Sequence, residues 1–299
     1  MDFNLVNLVI TVRTDDAFQL CLQLPLLGNE FADACRNINN CRWPERDCDS
    51  CSSQDSCAWD LVFGQQISSD PSARKRFQKP PLPFMFTFPS QHDLAERTTE
   101  IECGLVVIGQ AISCLDMLID GFKDIMLPLN AEVHLVGTRD YQGIVHTLAD
   151  VRGINCSENL LVLSFQDLLE NRIWTDTPLH IRLLSPIRLF GDGHLLRTFD
   201  FSRFAKSLMR RVSSLAYYYG SHEFRCDYKE LSRQADCVVC TQYHFIHAID
   251  RNGRITGLMG HGRFQGDFSG FLPFLTAGLY VHAGKGSSFG MGAYELLEC

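Results

Sequence analysis

The residues best suited to chemistry in this 299-residue chain crowd its C-terminal end. Ten of its 22 glycines fall between Gly257 and Gly292. The run Ala283-Gly-Lys-Gly-Ser-Ser-Phe-Gly-Met-Gly can turn consecutive amide N–H groups toward a phosphate, because glycine accepts positive φ and leaves the backbone open to a ligand. Lys285 would add a charge, Ser287 and Ser288 hydroxyl donors, and His282 an imidazole three residues before the lysine. No GxxxxGK[ST] occurs, so this is not a Walker loop. A bulged hairpin would use glycines in the same way.

Histidine titrates near neutrality and serves as acid or base, and seven of the ten histidines lie at or after His180. His244 and His247 share a strand-like stretch at odd spacing, so they face opposite sides and cannot line one pocket together. Thirteen cysteines are many for a reducing compartment. Four of them, Cys41, Cys48, Cys51 and Cys57, give C-x6-C-x2-C-x5-C, whose central CxxC has the chelating spacing of a zinc knuckle. A structural Zn²⁺ is one reading of this cluster, and buried thiols are the other. Cys237-Val-Val-Cys240 lies in an apolar strand-like run and reads as core.

Elements must position these groups. Leu5 to Thr14 reads as a strand, Asn29 to Cys35 as a short helix, Asn37 to Cys57 as a turn-rich insert, and Lys79-Pro-Pro-Leu-Pro as an exposed extended segment. A strand over Ile101 to Ile108, a helix over Ile112 to Met126, and strands over Ala131 to Val136 and Leu160 to Phe165 follow. This is the wiring of a ferredoxin-type α+β unit. The wiring repeats with an apolar strand, Leu179 to Leu184 and Ile187 to Phe190, broken at Ser185-Pro186. Asp200 is placed to N-cap a helix with Phe201, Phe204, Leu208, Val212, Leu215 and Tyr219 on one face. Arg203, Lys206 and Arg210 form a stripe on its other side, either a solvated face or a phosphate-tracking surface. Strands over Leu279 to Ala283 and Ala293 to Leu297 would flank the glycine run.

The composition, 45% hydrophobic and 21% charged, is that of a globular protein, and the net charge of -8 argues at first against nucleic acid. The charge is uneven. Residues 1–172 hold 13 Lys+Arg against 24 Asp+Glu, a net of -11, whereas residues 173–299 come to +3. Two domains, 1–172 and 173–299, are therefore expected, with any polyanion gripped by the second and the acidic first domain freer to meet a protein. No apolar run reaches the ~18 residues a membrane helix needs, and Met1-Asp2-Phe3-Asn4 lacks the basic start of a secretory signal, so a cytoplasmic location without membrane partners is expected.

The segment VHAGKGSSFGMGAYEL resembles the C-terminal signature of the CRISPR-associated precursor-crRNA-processing endoribonucleases of the RAMP superfamily. LLSPIRL (Leu183 to Leu189), FSRFAKSLMRRVSSLAYYYG (Phe201 to Gly220) and GLMGHGRFQGDF with FLPFL match further segments in the family's order. The helix near Phe31 to Arg36 and the C…CxxC…C that follows resemble the family's cysteine-containing branch. The resemblance implies two tandem ferredoxin-like (RRM-like) domains with a C-terminal glycine-rich loop that contacts CRISPR repeat RNA.

Carried over, the RNA-binding residues are Gly284, Lys285, Gly286, Ser287, Ser288, Gly290 and Gly292, then Arg203, Lys206, Arg210 and Arg211. The implied reaction needs no catalytic metal: the 2′-OH attacks its own phosphate, leaving a 2′,3′-cyclic phosphate and a 5′-OH. The family places its catalytic histidine in the first domain, and this chain has none before His92. The acid and base are therefore expected from His282 and His247, the phosphate cation from Lys285, and first-domain cations from Arg36 and Arg42. Two functions stay open: an endoribonuclease that processes precursor crRNA, and a non-catalytic RAMP subunit that caps crRNA among other CRISPR effector subunits.

Overall fold

A computed structural model of the chain describes residues 3–297, apart from 40, 42–47, 49–50, 52–56, 78, 91–93, 96–97, 151–152, 155–159, 171–177, 221–225 and 250–254. Its first unit runs β1 (Asn4–Thr14), α1 (Ala17–Gln23), α2 (Gly28–Ile38), α3 (Pro71–Arg76), β2 (Phe84–Thr87), β3 (Glu100–Ile108), α4 (Leu115–Met126) and β4 (Ala131–Arg139). β5 (Val145–Asp150), β6 (Gly153–Ile154), β7 (Leu163–Ser164) and α5 (Phe165–Glu170) extend it. The central strands lie in the antiparallel order β2-β3-β1-β4, the order of a ferredoxin-like sheet. Val6, Leu8, Ile10 and Val12 alternate onto one face of β1, where they share a core with Phe31 and Cys35 of α2 and Leu118 and Phe122 of α4.

The second unit runs β8 (Leu179–Ile187), β9 (Phe190–Gly191), β10 (His194–Leu195), α6 (Phe201–Tyr219), α7 (Tyr228–Asp236), β11 (Val239–Ile249), β12 (Thr256–Gln265), α8 (Leu272–Val281) and β13 (Tyr294–Leu297). Its sheet has the same order, β11-β12-β8-β13, again antiparallel throughout. The expected tandem ferredoxin-like architecture is present. Asp200 caps α6 by accepting from the Arg203 amide at 2.7 Å, and the apolar face from Phe201 to Tyr219 is buried. Among the described residues no helix is long and apolar enough to cross a membrane.

The units share a core. Leu5, Met85, Val106 and Ile108 of the first sheet's other face pack in one cluster with Phe204, Leu208, Leu275 and Val281 of α6 and α8. Side chains of this kind contribute ~2 kcal/mol each when fully buried, so four of them are ample to fix one unit on the other. Tyr219 Oη donates to the Pro81 carbonyl at 3.0 Å across the same seam, and Ser68 Oγ lies 2.9 Å from Tyr217 Oη. Gly109 passes so close to α6 that a Cβ there would stand 1.7 Å from the Tyr219 oxygen, at φ +58°.

Several expected elements differ. The run before the glycine loop is helical: Leu272–Val281 forms α8, with the expected strand at Leu279 replaced by its last turn. A uniformly apolar run of this length fits a buried helix as well as a strand, and its burial on most sides erases the period that would tell them apart. β8 continues through Ser185-Pro186 rather than breaking, with the Pro186 carbonyl accepting from the Gly292 amide at 3.0 Å. Leu160 to Phe165 holds only the two-residue β7 before α5 begins, and the expected strand's place in the ferredoxin unit is taken by β4. The short β2 was not expected at all. In the proline segment before it only Lys79 is exposed, while Pro80 and Pro83 are buried. Cys237 and Cys240 are both exposed, contrary to a core reading, because Cys237 caps α7 and Cys240 begins a sheet-edge strand.

Candidate nucleic-acid interface

The glycine loop leaves α8 at His282, whose φ of +58° ends the helix, and turns at Gly284, Gly286, Gly290 and Gly292 with φ between +70° and +87°. Its amides are largely used inside the protein. Ala283 donates to the Gly292 carbonyl, Lys285 to Arg188, Phe289 to Gly286 and Gly292 to Pro186, each at 3.0 Å, and Gly284 donates to Ser207 Oγ at 3.2 Å. Ser287 is buried and donates to the Gly284 carbonyl at 2.8 Å, and Ser288 is buried too. The Ser288 carbonyl accepts from the Phe86 amide at 3.0 Å, so the loop adds itself to the edge of β2. The Phe289 ring lies 5.6 Å from that of Phe84 and covers Gly28, where a Cβ would stand 3.2 Å away.

The loop is therefore a clasp between the two units. The expected hydroxyl donors Ser287 and Ser288 face inward, as do Gly290 and Gly292, whereas Lys285 and Gly286 are exposed at its tip. Lys285 Nζ stands 5.7 Å from the centre of the Phe190 ring.

His282 is 2% exposed. Its Nε2 lies 3.2 Å from Thr87 Oγ1 of β2, and its Nδ1 is buried without a hydrogen-bond partner. Burial, reinforced by the nearby Arg211 guanidinium, pulls its pKa down to about 4. A neutral, enclosed imidazole at pH 7 cannot exchange a proton with a substrate outside, so the acid/base role expected for His282 gives way to a place in the seam. Arg211 is corrected in the same way. Its Nε donates to the Val281 carbonyl at 2.6 Å, its Nη2 is buried without a partner, and burial lowers it to about 10. It supports the clasp from below rather than lying on the helix stripe. His247 sits half-buried on β11, on the helix-facing side with Phe245, opposite His244 as its spacing required.

The stripe itself is partly neutralised. Arg203 pairs with Asp192 at 3.6 Å and Lys206 with Asp236 at 2.8 Å, while Arg210 is exposed. The Lys206 and Ser202 hydrogen bonds hold the Asp236 carboxyl below the usual range. In the first unit the Arg36 guanidinium lies 4.6 Å over the Trp59 ring, and Arg42 falls outside the described residues.

The four cysteines of the insert are half-buried. Cys51 N–H donates to the Cys48 carbonyl at 2.9 Å, the turn a CxxC makes, while Cys57 Sγ accepts from Asn39 Nδ2 at 3.2 Å and from the Asp60 amide at 3.5 Å. Burial and the nearby Asp60 raise the Cys48 thiol. Among the described residues no three His, Cys, Asp or Glu side chains come together in a metal-holding group.

Sequence reasoning missed the open face of the second sheet. It carries His180, His261 and His244 on three neighbouring strands, with ring centres 5.5 Å and 4.8 Å apart. The signal was available in the alternation of β8, where Leu179, Ile181 and Leu183 point inward and His180 and Arg182 outward.

Two ferredoxin-like units closed by a C-terminal glycine clasp make up the described chain, and comparisons with known proteins find the same arrangement elsewhere. Residues 181–294 match the model of the CRISPR-associated endoribonuclease Cas6, and residues 27–128 match a model described as an N-terminal domain. Residues 181–294 thus carry the sequence pattern of that family. Similar solved structures include a Thermus thermophilus Cas6 (11% identity, 99% of each chain covered, TM-score 0.53) and a Cas6 product complex (13%, 99% of this chain and 100% of that one, 0.54). A partial complex of Cas6-RT-Cas1 with Cas2 is also similar, at 15% identity and a TM-score of 0.57, covering 99% of this chain and 46% of the other. At these identities the likeness is one of fold. No curated protein sequence matches.

Proposed function

We propose that the chain binds CRISPR repeat RNA and cuts it once per repeat by attack of the 2′-OH on the adjacent phosphate, leaving a 2′,3′-cyclic phosphate and a 5′-OH without a catalytic metal. The observation that carries the reading is the match of residues 181–294 to the Cas6 family over the segment that builds the clasp. Lys285, exposed at the tip of the clasp, is the cation for the scissile phosphate. Of the two expected histidines, His247 remains the one with side-chain exposure. The more basic second domain, 173–299, grips the RNA, and the acidic first domain, 1–172, is the surface for other CRISPR subunits in the cytoplasm.

Incubation of the protein with its own repeat RNA in EDTA tests this, and a single cut per repeat supports it. A second reading, a non-catalytic subunit that caps crRNA, is favoured by the burial of His282; tight binding with no cut would select it. Cys41, Cys48, Cys51 and Cys57 are proposed to hold a structural Zn²⁺, with Asn39 and the Asp60 amide as donors to the Cys57 sulfur. Metal analysis giving well under one zinc per chain removes that part.

A further inference from the structure

The second sheet turns one face to its helices and leaves much of the other accessible. Leu179, Ile181, Leu183, Phe245, Leu258 and Phe264 point into the helical core. By the two-residue period of a strand, His180 and Arg182 of β8, His261 and Arg263 of β12 and His244 of β11 stand on the opposite side. The three imidazoles make a row across neighbouring strands, and two guanidinium groups flank it. Arg182 pairs with Glu295 of β13, whereas Arg263 Nε and His180 Nε2 are buried with no hydrogen-bond partner. Among the described residues of these strands Arg182, Arg263 and Glu295 supply the fixed charges beside the row, since β11 contains no Asp, Glu, Lys or Arg.

Flat rings about 5 Å apart beside one guanidinium with an unsatisfied Nε and a second held by Glu295 suit a base with its phosphate. They suit a metal ion poorly, because two guanidinium groups would repel it. We propose that this face binds single-stranded RNA, with bases stacked on His180, His261 and His244 and phosphates held by Arg182 and Arg263. The proposal rests on the reading of the chain as an RNA-processing protein, to which it adds a second contact surface away from the clasp.

One property separates such a row from phenylalanine or tyrosine platforms. His180 is held below the ordinary 6.5 by burial first, then by Arg263, His261 and Arg182, with Glu295 opposing them. A phosphate laid against His180 favours its imidazolium, so the complex takes up a proton that the free protein does not. Affinity therefore rises as pH falls through this range.

The test uses the full chain and a fluorescein-labelled oligouridine of about ten nucleotides, titrated by anisotropy at about pH 7.5 and about pH 6. The wild type should bind roughly threefold or more tightly at the lower pH. The double variant His244→Ala with His261→Ala should bind roughly tenfold more weakly, His180→Ala should lose most of the pH response, and Arg263→Gln should weaken binding at both pH values. Thermal unfolding of each variant checks that the fold is intact. A folded double variant with wild-type affinity overturns the proposal. Repeat-RNA cleavage assayed in parallel separates the two levels: unchanged oligouridine binding by a double variant that still cuts removes this face alone. A wild type that neither binds nor cuts removes the RNA reading with it.

Discussion

The two sheets share one strand order and differ in what lies on them. The first is enclosed. One of its faces is covered by α2 and α4, the other contributes Leu5, Met85, Val106 and Ile108 to the shared core, and the edge of β2 is taken up by the glycine clasp. The second is covered on one face and presents histidine and arginine on the other. A ferredoxin-like unit thus supplies either a foundation or a binding surface, depending on whether its second face is packed. The residues that first look chemical, in the glycine loop, belong mostly to the foundation.

This contrast can be broken most forcefully at Gly292. Its φ is +70° and a Cβ would stand 1.7 Å from the Ala283 oxygen, so Gly292→Ala should destabilise the protein by at least ~3 kcal/mol in urea unfolding. Wild-type stability in this variant would mean that the clasp is not part of the foundation.

A pH scan gives the next effect. His282 is depressed to about 4 in the fold, against the ordinary 6.5. The unfolded chain therefore takes up a proton that the folded one refuses. Its contribution is complete above pH 6.5 and is lost as pH falls toward 4, reaching ~3 kcal/mol at most. His282→Gln should flatten the stability-versus-pH curve across that window, and an unchanged slope would place His282 outside the seam.

Asp200→Ala removes the cap of the long second-unit helix and should cost ~1 kcal/mol in thermal unfolding. The smallest effect belongs to the open face. His244→Ala with His261→Ala should change stability by no more than ~0.5 kcal/mol, and a large loss would show that this face is packed like the first sheet.

Much of this was legible in the sequence, for identifiable reasons. β1, β3, α4 and α6 carry clear periods, and Asp200 is a cap by residue type alone. The repeat wiring was visible because each unit begins with a strong strand. α8 was not, because a run that is apolar on most sides has no period to read. The burial of Ser287, Ser288 and His282 was also hidden. Glycine-rich sequence reports backbone freedom and is silent on whether the freed amides face a ligand or the protein itself, and here they bond within the loop and to Arg188, Pro186 and Ser207, while the Ser288 carbonyl meets the four-residue β2. The histidine row needed the registers of β8, β11 and β12 together, which no single segment contains.

The central claim, that this chain cuts CRISPR repeat RNA without a metal, is tested most directly by incubating the full protein with its own repeat RNA in EDTA and mapping the products. The expected result is one cut per repeat, with a 2′,3′-cyclic phosphate on the upstream fragment and a 5′-OH on the downstream one. RNA that is held tightly and left intact would contradict it.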